Sequence, residues 1–256
     1  MLRFFKKEFH MILLTGDIHG AVDIHKLTAR RLDRKGLTRD DYLIILGDFG
    51  LIWDEPPAPE DTFWLNWLEN EAPWTTLVVL GNHENYRLIR KMETEEWKGG
   101  RVRRFREHVL QLVDNEIFNI DGHSFFVRGG AHSTDRHYRT PGKTWWREEV
   151  PTEKERAAAF EKLQSADWKV DYVLTHDGPA DALFHLYPPG SSFMFTDEYS
   201  RWLQKIANML EFKRWFFGHH HKDRPHLGTY SALYHMVVDL ELQERQAPDT
   251  LRKPFE

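Results

Sequence analysis

Short runs of apolar residues recur along the chain, and each ends at a glycine or a polar residue. Five runs have the length and composition of buried strands: residues 11–15, 42–46, 77–80, 172–175 and 215–217. Between the second and third runs, Phe63, Trp64, Trp67 and Leu68 lie at helical spacing and predict a helix over 61–70. This alternation predicts an α/β core with at least partly parallel strands.

The middle of the chain has a different pattern. Residues 116–120 and 123–128 are strand-like and flank Asp121-Gly122, a dipeptide that suits the tight turn of a β-hairpin. Residues 152–165 then predict a helix, because a threonine and acidic side chains occupy its first turn. A β-rich segment at 229–240 closes the predicted fold.

Three further segments complete the prediction. Residues 22–34 and 197–210 are expected to be helical, and the proline-rich residues 54–59 are expected to form a loop near the strand that precedes them. Neither a repeat nor a linker interrupts the pattern. We therefore expect one domain over residues 11–241, with 1–10 and 242–256 as terminal extensions.

Composition narrows the class of protein. A chain of 256 residues with 41% apolar residues can bury one large core. The formal net charge of −5 argues against a uniformly basic nucleic-acid surface, so nucleic acid is a less favoured partner. The chain has no cysteine, which excludes disulfides and thiolate metal sites. No apolar run approaches the ~20 residues needed to span a bilayer, so we expect a cytoplasmic protein without a membrane partner. The oligomeric state is left open.

The five strand-like runs end in residues that commonly bind metals. The clusters are Asp17-Ile18-His19-Gly20, Gly47-Asp48, Gly81-Asn82-His83-Glu84, His176 and Gly218-His219-His220-His221. In α/β sheets, ligands bind beyond the carboxyl ends of the strands, so these clusters are expected to converge. Their oxygen and imidazole donors suit manganese, iron or zinc. They are too many for one tetrahedral ion and fit a site with two ions ~3.5–4 Å apart.

The order D-x-H-G, G-D, G-N-H-E, H and G-H-x-H, from Asp17 to His221, resembles the calcineurin-like metallophosphoesterase superfamily. The resemblance implies a sandwich of two mixed β-sheets flanked by helices. It also implies a metal-dependent phosphoester hydrolase. Carried over by motif, the ligands of the first metal would be Asp17, His19 and His221, those of the second Asn82, His176 and His219, and the bridging ligand Asp48.

The resemblance also implies a mechanism. Two divalent or mixed-valence ions would generate a bridging hydroxide that attacks phosphorus, and His83 would protonate the leaving oxygen or stabilise the transition state. The substrate would be a phosphomonoester or a phosphodiester, with a phosphorylated small molecule or nucleotide favoured over a phosphoprotein. The residues do not decide between manganese, iron and zinc.

One departure from the family pattern concerns the segment after Asp48. Phosphoprotein phosphatases of the superfamily continue as G-D-x-x-D-R, whereas Leu51 and Ile52 occupy the last two places in this chain. The carboxylate expected to orient His83 and one phosphate-binding arginine are therefore missing. This argues against a phosphoprotein phosphatase.

Other side chains are candidates for phosphate contact because they lie at the end of the strand at 123–128 or in the loop after it: Arg128, His132, Arg136 and Arg139. Trp145 and Trp146 could form a lid or substrate wall. His220 lies between two predicted ligands, and strand alternation turns it away from them. The basic run at 101–106 is interpreted as a solvated strand or loop face rather than a nucleic-acid surface.

Two alternatives stay open. A scaffold protein could keep this fold without catalysis, but it would be expected to have lost motif residues, and every motif position is filled in this chain. A single-metal enzyme is the other alternative. Counting the bound metal ions would separate it from the two-metal interpretation.

Overall fold

The computed structural model describes residues 10–28, 36–187, 190–191 and 196–245. The strands, in chain order, are β1 (Ile12–Thr15), β2 (Tyr42–Leu46), β3 (Thr75–Val79), β4 (Glu95–Trp97), β5 (Gly100–Arg106), β6 (Val109–Leu112), β7 (Glu116–Ile120), β8 (His123–Arg128), β9 (Tyr172–Thr175), β10 (Arg214–Phe217), β11 (Arg224–Leu227), β12 (Tyr230–Ala232) and β13 (Val237–Asp239). The helices are α1 (His25–Thr28), α2 (Pro59–Asn70), α3 (Tyr86–Ile89), α4 (Glu153–Ser165), α5 (Ala180–Leu186), α6 (Glu198–Met209) and α7 (Leu240–Arg245).

The strands form two mixed sheets. The first has the order β13-β1-β2-β3-β6-β5-β4, and the second has the order β11-β12-β10-β9-β8-β7. Strands β1, β2, β3 and β6 are parallel in the first sheet, and β8, β9, β10 and β12 are parallel in the second. The pairs at the outer ends of each sheet are antiparallel.

Side-chain alternation along the strands builds three apolar layers. In β2, Ile44 and Leu46 pack between the two sheets with residues such as Phe216 of β10. Leu43 and Ile45 point the other way, against α2. The outer face of the second sheet packs against α4, α5 and α6. Every residue of β2 is buried because both sheet faces are covered, which explains its continuous apolar run. The predicted sandwich of two mixed sheets flanked by helices is confirmed.

Several predicted elements have the expected bounds. The hairpin of β7 and β8 turns at Asp121 and Gly122, whose φ values of 51° and 83° suit the left-handed conformation that such a turn requires. Thr152 caps α4 in a reciprocal capping box with Glu155. These local signals are strong because the turn requires positive φ values and the cap requires a side-chain oxygen, and few residue types meet either requirement.

Other elements differ from the prediction. Only His25–Thr28 of the expected helix at 22–34 is described as a helix, and residues 29–35 lie outside the described part of the chain. Pro59 is the first residue of α2, where its missing N–H costs nothing, so the irregular segment ends at Ala58. The pattern did not predict β4 or β6, and it left residues 101–106 open between a strand and a loop. These residues form β5, which lies next to the short edge strand β4, where charged side chains reach solvent.

The ends of the described chain make contacts beyond the expected domain bounds. His10 hydrogen-bonds Asp121 through its backbone N–H and its ring, each at 2.9 Å. Helix α7 extends to Arg245, and Gln243 is 6% exposed. In the described part of the chain, no helix is long and apolar enough to cross a membrane.

Candidate metal centre

The predicted ligand residues directly follow five parallel strands: β1, β2, β3, β9 and β10. Because the strands of each sheet run in the same direction, their carboxyl ends lie at one edge of the sandwich. Asp17, Asp48 and Asn82 come from the first sheet, and the histidines at 176, 219 and 221 come from the second. The site therefore lies where the two sheets meet.

The backbone at this edge is sharply turned. Four predicted ligands have a left-handed backbone: His19, Asp48, His219 and His221, with φ values of 44°, 46°, 62° and 49°. This conformation is uncommon outside glycine, and it clusters at functional sites where the surrounding structure holds it. The turns aim the side chains back across the strand ends.

Two glycines beside the ligands have no room for a side chain. A Cβ atom on Gly47 would lie 2.0 Å from Nδ1 of His176, and one on Gly81 would lie 2.0 Å from Oδ1 of Asp48. The glycines of the G-D and G-N-H-E motifs are therefore required by the close packing of the ligand side chains.

We call Asp17, His19 and His221 the outer group. Oδ2 of Asp17 lies 3.3 Å from Nε2 of His221 and 3.8 Å from Nε2 of His19. The carboxylate is fully buried, whereas the His221 side chain is 50% exposed and that of His19 is 21% exposed. Their donor atoms are close enough to surround one ion.

We call Asn82, His176 and His219 the inner group. Oδ1 of Asn82 lies 3.0 Å from Nε2 of His176, and the rings of His176 and His219 are 5.0 Å apart between centroids. His176 is fully buried and Asn82 is 4% exposed, while His219 is half-buried. The inner group is thus more enclosed than the outer group.

Asp48 lies between the two groups. Its Oδ1 is 3.3 Å from Nε2 of His176, and its Oδ2 is 3.4 Å from Nε2 of His19. Asp17 also reaches toward the inner side, since its carboxylate clusters with Asp48 and His176 as well as with the outer histidines. Each carboxylate oxygen of Asp48 therefore faces a histidine of a different group.

One buried atom in the site lacks a hydrogen bond. Oδ2 of Asp17 is buried without a hydrogen-bond partner in the described part of the chain, although its Oδ1 accepts from the His219 backbone N–H at 2.9 Å. A buried carboxylate oxygen without a donor is costly unless a cation compensates it. Together with the oxygen and imidazole donors, this fits divalent metal ions.

The outer group is held by contacts that the sequence analysis did not predict. Nδ1 of His19 lies 2.7 Å from Oδ2 of Asp23, so its Nε2 is left to face the site. The Tyr234 hydroxyl donates to the same carboxylate oxygen at 3.2 Å, and the tyrosine ring stacks on His221 at 4.5 Å. The spacing of four residues from His19 to Asp23 was the only available signal for this pair.

The inner group is held by backbone and buried polar groups. Nδ1 of His176 donates to the Leu46 carbonyl oxygen at 2.7 Å, which directs Nε2 toward Asn82 and Asp48. Nδ2 of Asn82 donates to Ser133 Oγ at 3.1 Å, and this hydroxyl donates to Glu149 at 2.6 Å. These contacts turn Oδ1 of Asn82 into the site.

The charges at the site strongly influence one another. Burial would lower the pKa of His176, but Asp48 raises it to about 10, and Asp48 likewise raises the pKa of His19 to about 9 against its burial. Burial would raise the pKa of Asp48, yet the same two histidines hold it well below its ordinary value. Burial lowers the pKa of His219 to about 3, and His220 and His176 act in the same direction. Two buried carboxylates thus attract positive charge.

His83 adjoins this cluster. Its backbone N–H donates to Oδ1 of Asp48 at 2.7 Å, and its ring is 5.9 Å from that of His19 between centroids. Burial lowers the pKa of His83, and the nearby Arg139 and His19 reinforce this. A half-buried imidazole at this position can exchange a proton with a group held beside the ligands.

The positions that depart from the G-D-x-x-D-R pattern are apolar contacts. Leu51 and Ile52 are 0% and 6% exposed and belong to the layer between the first sheet and α2. Glu84 organises the turn instead, accepting the backbone N–H groups of Phe49 and Gly50 at 2.7 and 3.2 Å. Burial and the nearby Asp48 raise the pKa of Glu84 to about 7. Glu84 is the last residue of the G-N-H-E motif, but its place in the sequence alone did not predict this role.

The four predicted phosphate contacts have different surroundings. Arg139 lies near His83 and pairs with Asp135 at 2.7 Å. Arg136 is exposed, and His132 is half-buried with its Nε2 3.9 Å from Asp197. Arg128 is 1% exposed and lines a cleft whose lining contains none of the predicted metal ligands. Phosphate contact stays a prediction for all four.

Trp146 and His220, which the sequence also singled out, both make side-chain contacts in the structure. Trp146 is 5% exposed and packs edge-on against Trp53, with 5.2 Å between ring centroids. Nε2 of His220 lies 2.8 Å from Asp177, and its Nδ1 lies 2.9 Å from the Tyr187 hydroxyl. His220 therefore braces the loop that carries two predicted ligands.

Comparison with known proteins gives a family match. The family model described as calcineurin-like phosphoesterase matches residues 10–223. No curated protein matches the chain significantly. Among solved structures, a phosphopantetheinyl hydrolase from Mycobacterium tuberculosis is similar, with a TM-score of 0.48 and 14% identity over 95% of each chain.

Proposed function

The chain belongs to the calcineurin-like phosphoesterase family, and on that premise we propose that it hydrolyses a phosphoester at a centre of two metal ions. The observation that carries the proposal is the position of Asp48, whose two oxygens face His176 on one side and His19 on the other. A carboxylate with donors on both sides suits a bridging ligand.

The outer and inner groups would each hold one ion, with Asp48 shared between them. Manganese, iron and zinc all accept this set of carboxylate, amide and imidazole donors. When bound, two such ions supply Lewis acidity that activates water and neutralises charge on the phosphoryl group. Oδ2 of Asp17, which is buried without a hydrogen bond among the described residues and lies 3.3 Å from Nε2 of His221, supports a cation in the outer group.

The protein side chains would position the reactants and move a proton. His83 would donate a proton to the leaving oxygen, because its ring adjoins the outer group without belonging to either ligand group. Arg139, which lies near His83, would contact the phosphoryl oxygens. Asp23 and the Leu46 carbonyl would hold His19 and His176 in the tautomers that present Nε2 to the metals.

The substrate is proposed to be a phosphomonoester or phosphodiester, with a nucleotide-like small molecule favoured over a phosphoprotein. The buried Leu51 and Ile52 support this preference, since neither can offer the carboxylate and arginine expected of a phosphoprotein phosphatase.

The test begins with protein stripped of metal by a chelator and reloaded with Mn²⁺. Hydrolysis of a chromogenic phosphomonoester and the matching diester is measured together with the number of ions bound. Restored turnover with two ions per chain is expected, and the ratio of the two rates identifies the substrate class. One bound ion at full turnover would overturn the dinuclear centre. Two bound ions without turnover on any phosphoester would favour a scaffold.

His83 is tested separately from the metals. His83→Asn is expected to retain two ions and lose turnover, because the side chain moves a proton and ligates nothing. His185→Asn is the matched control, since His185 is exposed and belongs neither to the ligand groups nor to the predicted phosphate contacts. Unchanged turnover in His83→Asn would remove the residue from the mechanism.

A further inference from the structure

A second charged cleft, of about 710 Å³, lies between the loop after β6 and helix α4. We call it the arginine cleft. Its lining includes cationic and acidic side chains. The cationic ones are Arg90, Arg101, Arg103, Arg128 and Lys162, and the acidic ones are Asp114, Glu116, Glu155 and Glu161. The cleft is separate from the metal centre, because none of the predicted metal ligands lines it.

Three of the cations form ion pairs with two acids of the same cleft. Arg90 pairs with Glu155 at 3.0 Å. Glu116 pairs with both Arg101 and Lys162, at 2.5 and 2.8 Å. These pairs leave two arginines, 103 and 128, whose surroundings differ.

Arg103 has an amide partner rather than a carboxylate. Its Nη1 donates to Oε1 of Gln111 at 2.9 Å, and no ion pair involves it within the described ranges. Its Nε is buried without a hydrogen-bond partner in the part of the chain that the structure describes. Burial lowers the pKa of Arg103, the nearby Asp114 opposes this, and the like charges of Arg90 and Arg101 act in the same direction as burial. The guanidinium of Arg103 therefore borders the cleft without a carboxylate in ion-pair contact among the described residues.

Arg128 is more deeply buried. Its side chain is 1% exposed, and Nη1 lies 3.5 Å from Oδ2 of Asp114. The other oxygen of Asp114 accepts the Gly129 backbone N–H at 2.7 Å. Nε and Nη1 of Arg128 are both buried without a hydrogen-bond partner among the described residues. A guanidinium offers five N–H groups, and leaving buried ones unbonded is unfavourable.

We propose that the arginine cleft binds a small oxyanionic ligand through Arg103 and Arg128. Phosphate and carboxylate groups both match the planar donor fork of a guanidinium. Water could satisfy the unbonded N–H groups, but it would not neutralise the charge of Arg103. The volume lies within the ~300–1,000 Å³ of small-molecule sites, so the anion can be one group of a larger metabolite.

The test uses the full-length, metal-loaded protein and follows the side-chain Nε–H signals of Arg103 and Arg128 by NMR. Inorganic phosphate and acetate are titrated separately against chloride at equal ionic strength. Movement of both signals with phosphate alone assigns a phosphoryl ligand, and movement with acetate alone assigns a carboxylate. Movement with both anions assigns a general oxyanion site. No movement with either anion would overturn the proposal.

Variants on strand β5 provide the matched comparison. Arg103→Gln is expected to weaken anion binding, read on the Arg128 signal, by about tenfold, which corresponds to about 1.4 kcal/mol. Arg104→Gln is the control, because Arg104 pairs with Glu95 and does not line the cleft. Equal weakening in both variants would indicate general attraction to a basic surface and overturn the proposal. If Arg103→Gln does not fold, Arg103→Lys gives the same comparison, since lysine lacks the planar fork.

Discussion

The outer and inner groups of the candidate metal centre use similar residue types in different surroundings. His221 of the outer group has a half-exposed side chain, whereas His176 of the inner group is fully buried. The outer histidines are held by other side chains, Asp23 and Tyr234, and the inner His176 is held by the Leu46 backbone carbonyl. The same ligand residue types therefore form an outer group that solvent can reach and an inner group that the two sheets enclose.

This difference has consequences for metal exchange. An ion in the outer group would be bordered by solvent, so it should leave first when the metal is chelated. An ion in the inner group would be enclosed by buried donors whose positions depend on the packing of both sheets. Stability and metal affinity should therefore respond differently to changes in the two groups.

The largest effect is expected where both groups meet. Asp48→Asn should remove metal from both groups and reduce turnover by at least the ~10²–10³-fold that follows loss of one charge-stabilising group. Its near-isosteric side chain should keep the fold. Metal content, turnover and circular dichroism check this. The exposed Asp40→Asn is the matched control, and wild-type turnover in Asp48→Asn would remove the bridging assignment.

A smaller effect is expected in the outer group alone. Asp23→Asn should weaken Mn²⁺ binding by about 10–100-fold, the usual range for a group that orients a metal-binding histidine. Titration of stripped protein with Mn²⁺ should show one weakened ion and one of unchanged affinity. Tyr234→Phe, which removes only the hydroxyl that reaches Asp23, should have a weaker effect. Equal loss of both ions in Asp23→Asn would show that the groups are not separable.

The two groups are also expected to differ in how much their histidines stabilise the metal-free protein. His176→Ala should lower the free energy of unfolding by about 1–3 kcal/mol, because the buried Leu46 carbonyl loses its donor. His221→Ala should change it by less than about 0.5 kcal/mol, as expected for an exposed side chain. Urea denaturation in the presence of chelator measures both. Equal destabilisation would contradict the difference in enclosure.

The smallest effect concerns pH. In the metal-free protein the pKa values of His19 and His176 are raised to about 9 and about 10. A raised histidine pKa contributes stability that is complete below the unfolded value of about 6.5 and is lost as the pH rises through about 9–10. Metal binding requires neutral imidazoles, so the stability added by Mn²⁺ should instead grow over the same range.

Thermal unfolding across this range, with chelator or with Mn²⁺, measures the two trends. The difference in Tm between the loaded and stripped protein should widen as the pH rises. A constant difference would mean that the ions displace no protons from these histidines.

Much of the fold was predictable from local signals. The continuous apolar run of β2, the Asp-Gly turn after β7 and the capping box of α4 each depend on residues close together in sequence. By contrast, residues 101–106 could not be assigned to a strand rather than a loop, because the hydrogen-bond partners of their arginines, such as Gln111 and Glu95, become neighbours only in the folded sheet.

The sequence by itself determined which residue types follow each buried strand, and hence that metal-binding groups would gather at one edge. Parallel strands make that convergence a geometric consequence of strand order. Only the tertiary structure decided that Asp48 faces His19 and His176 on opposite sides, and that one histidine is buried while another is half-exposed. It also brought together Arg103 and Arg128 from two different sheets. Distances and burial depend on how the sheets pack, and no local pattern along the chain encodes them.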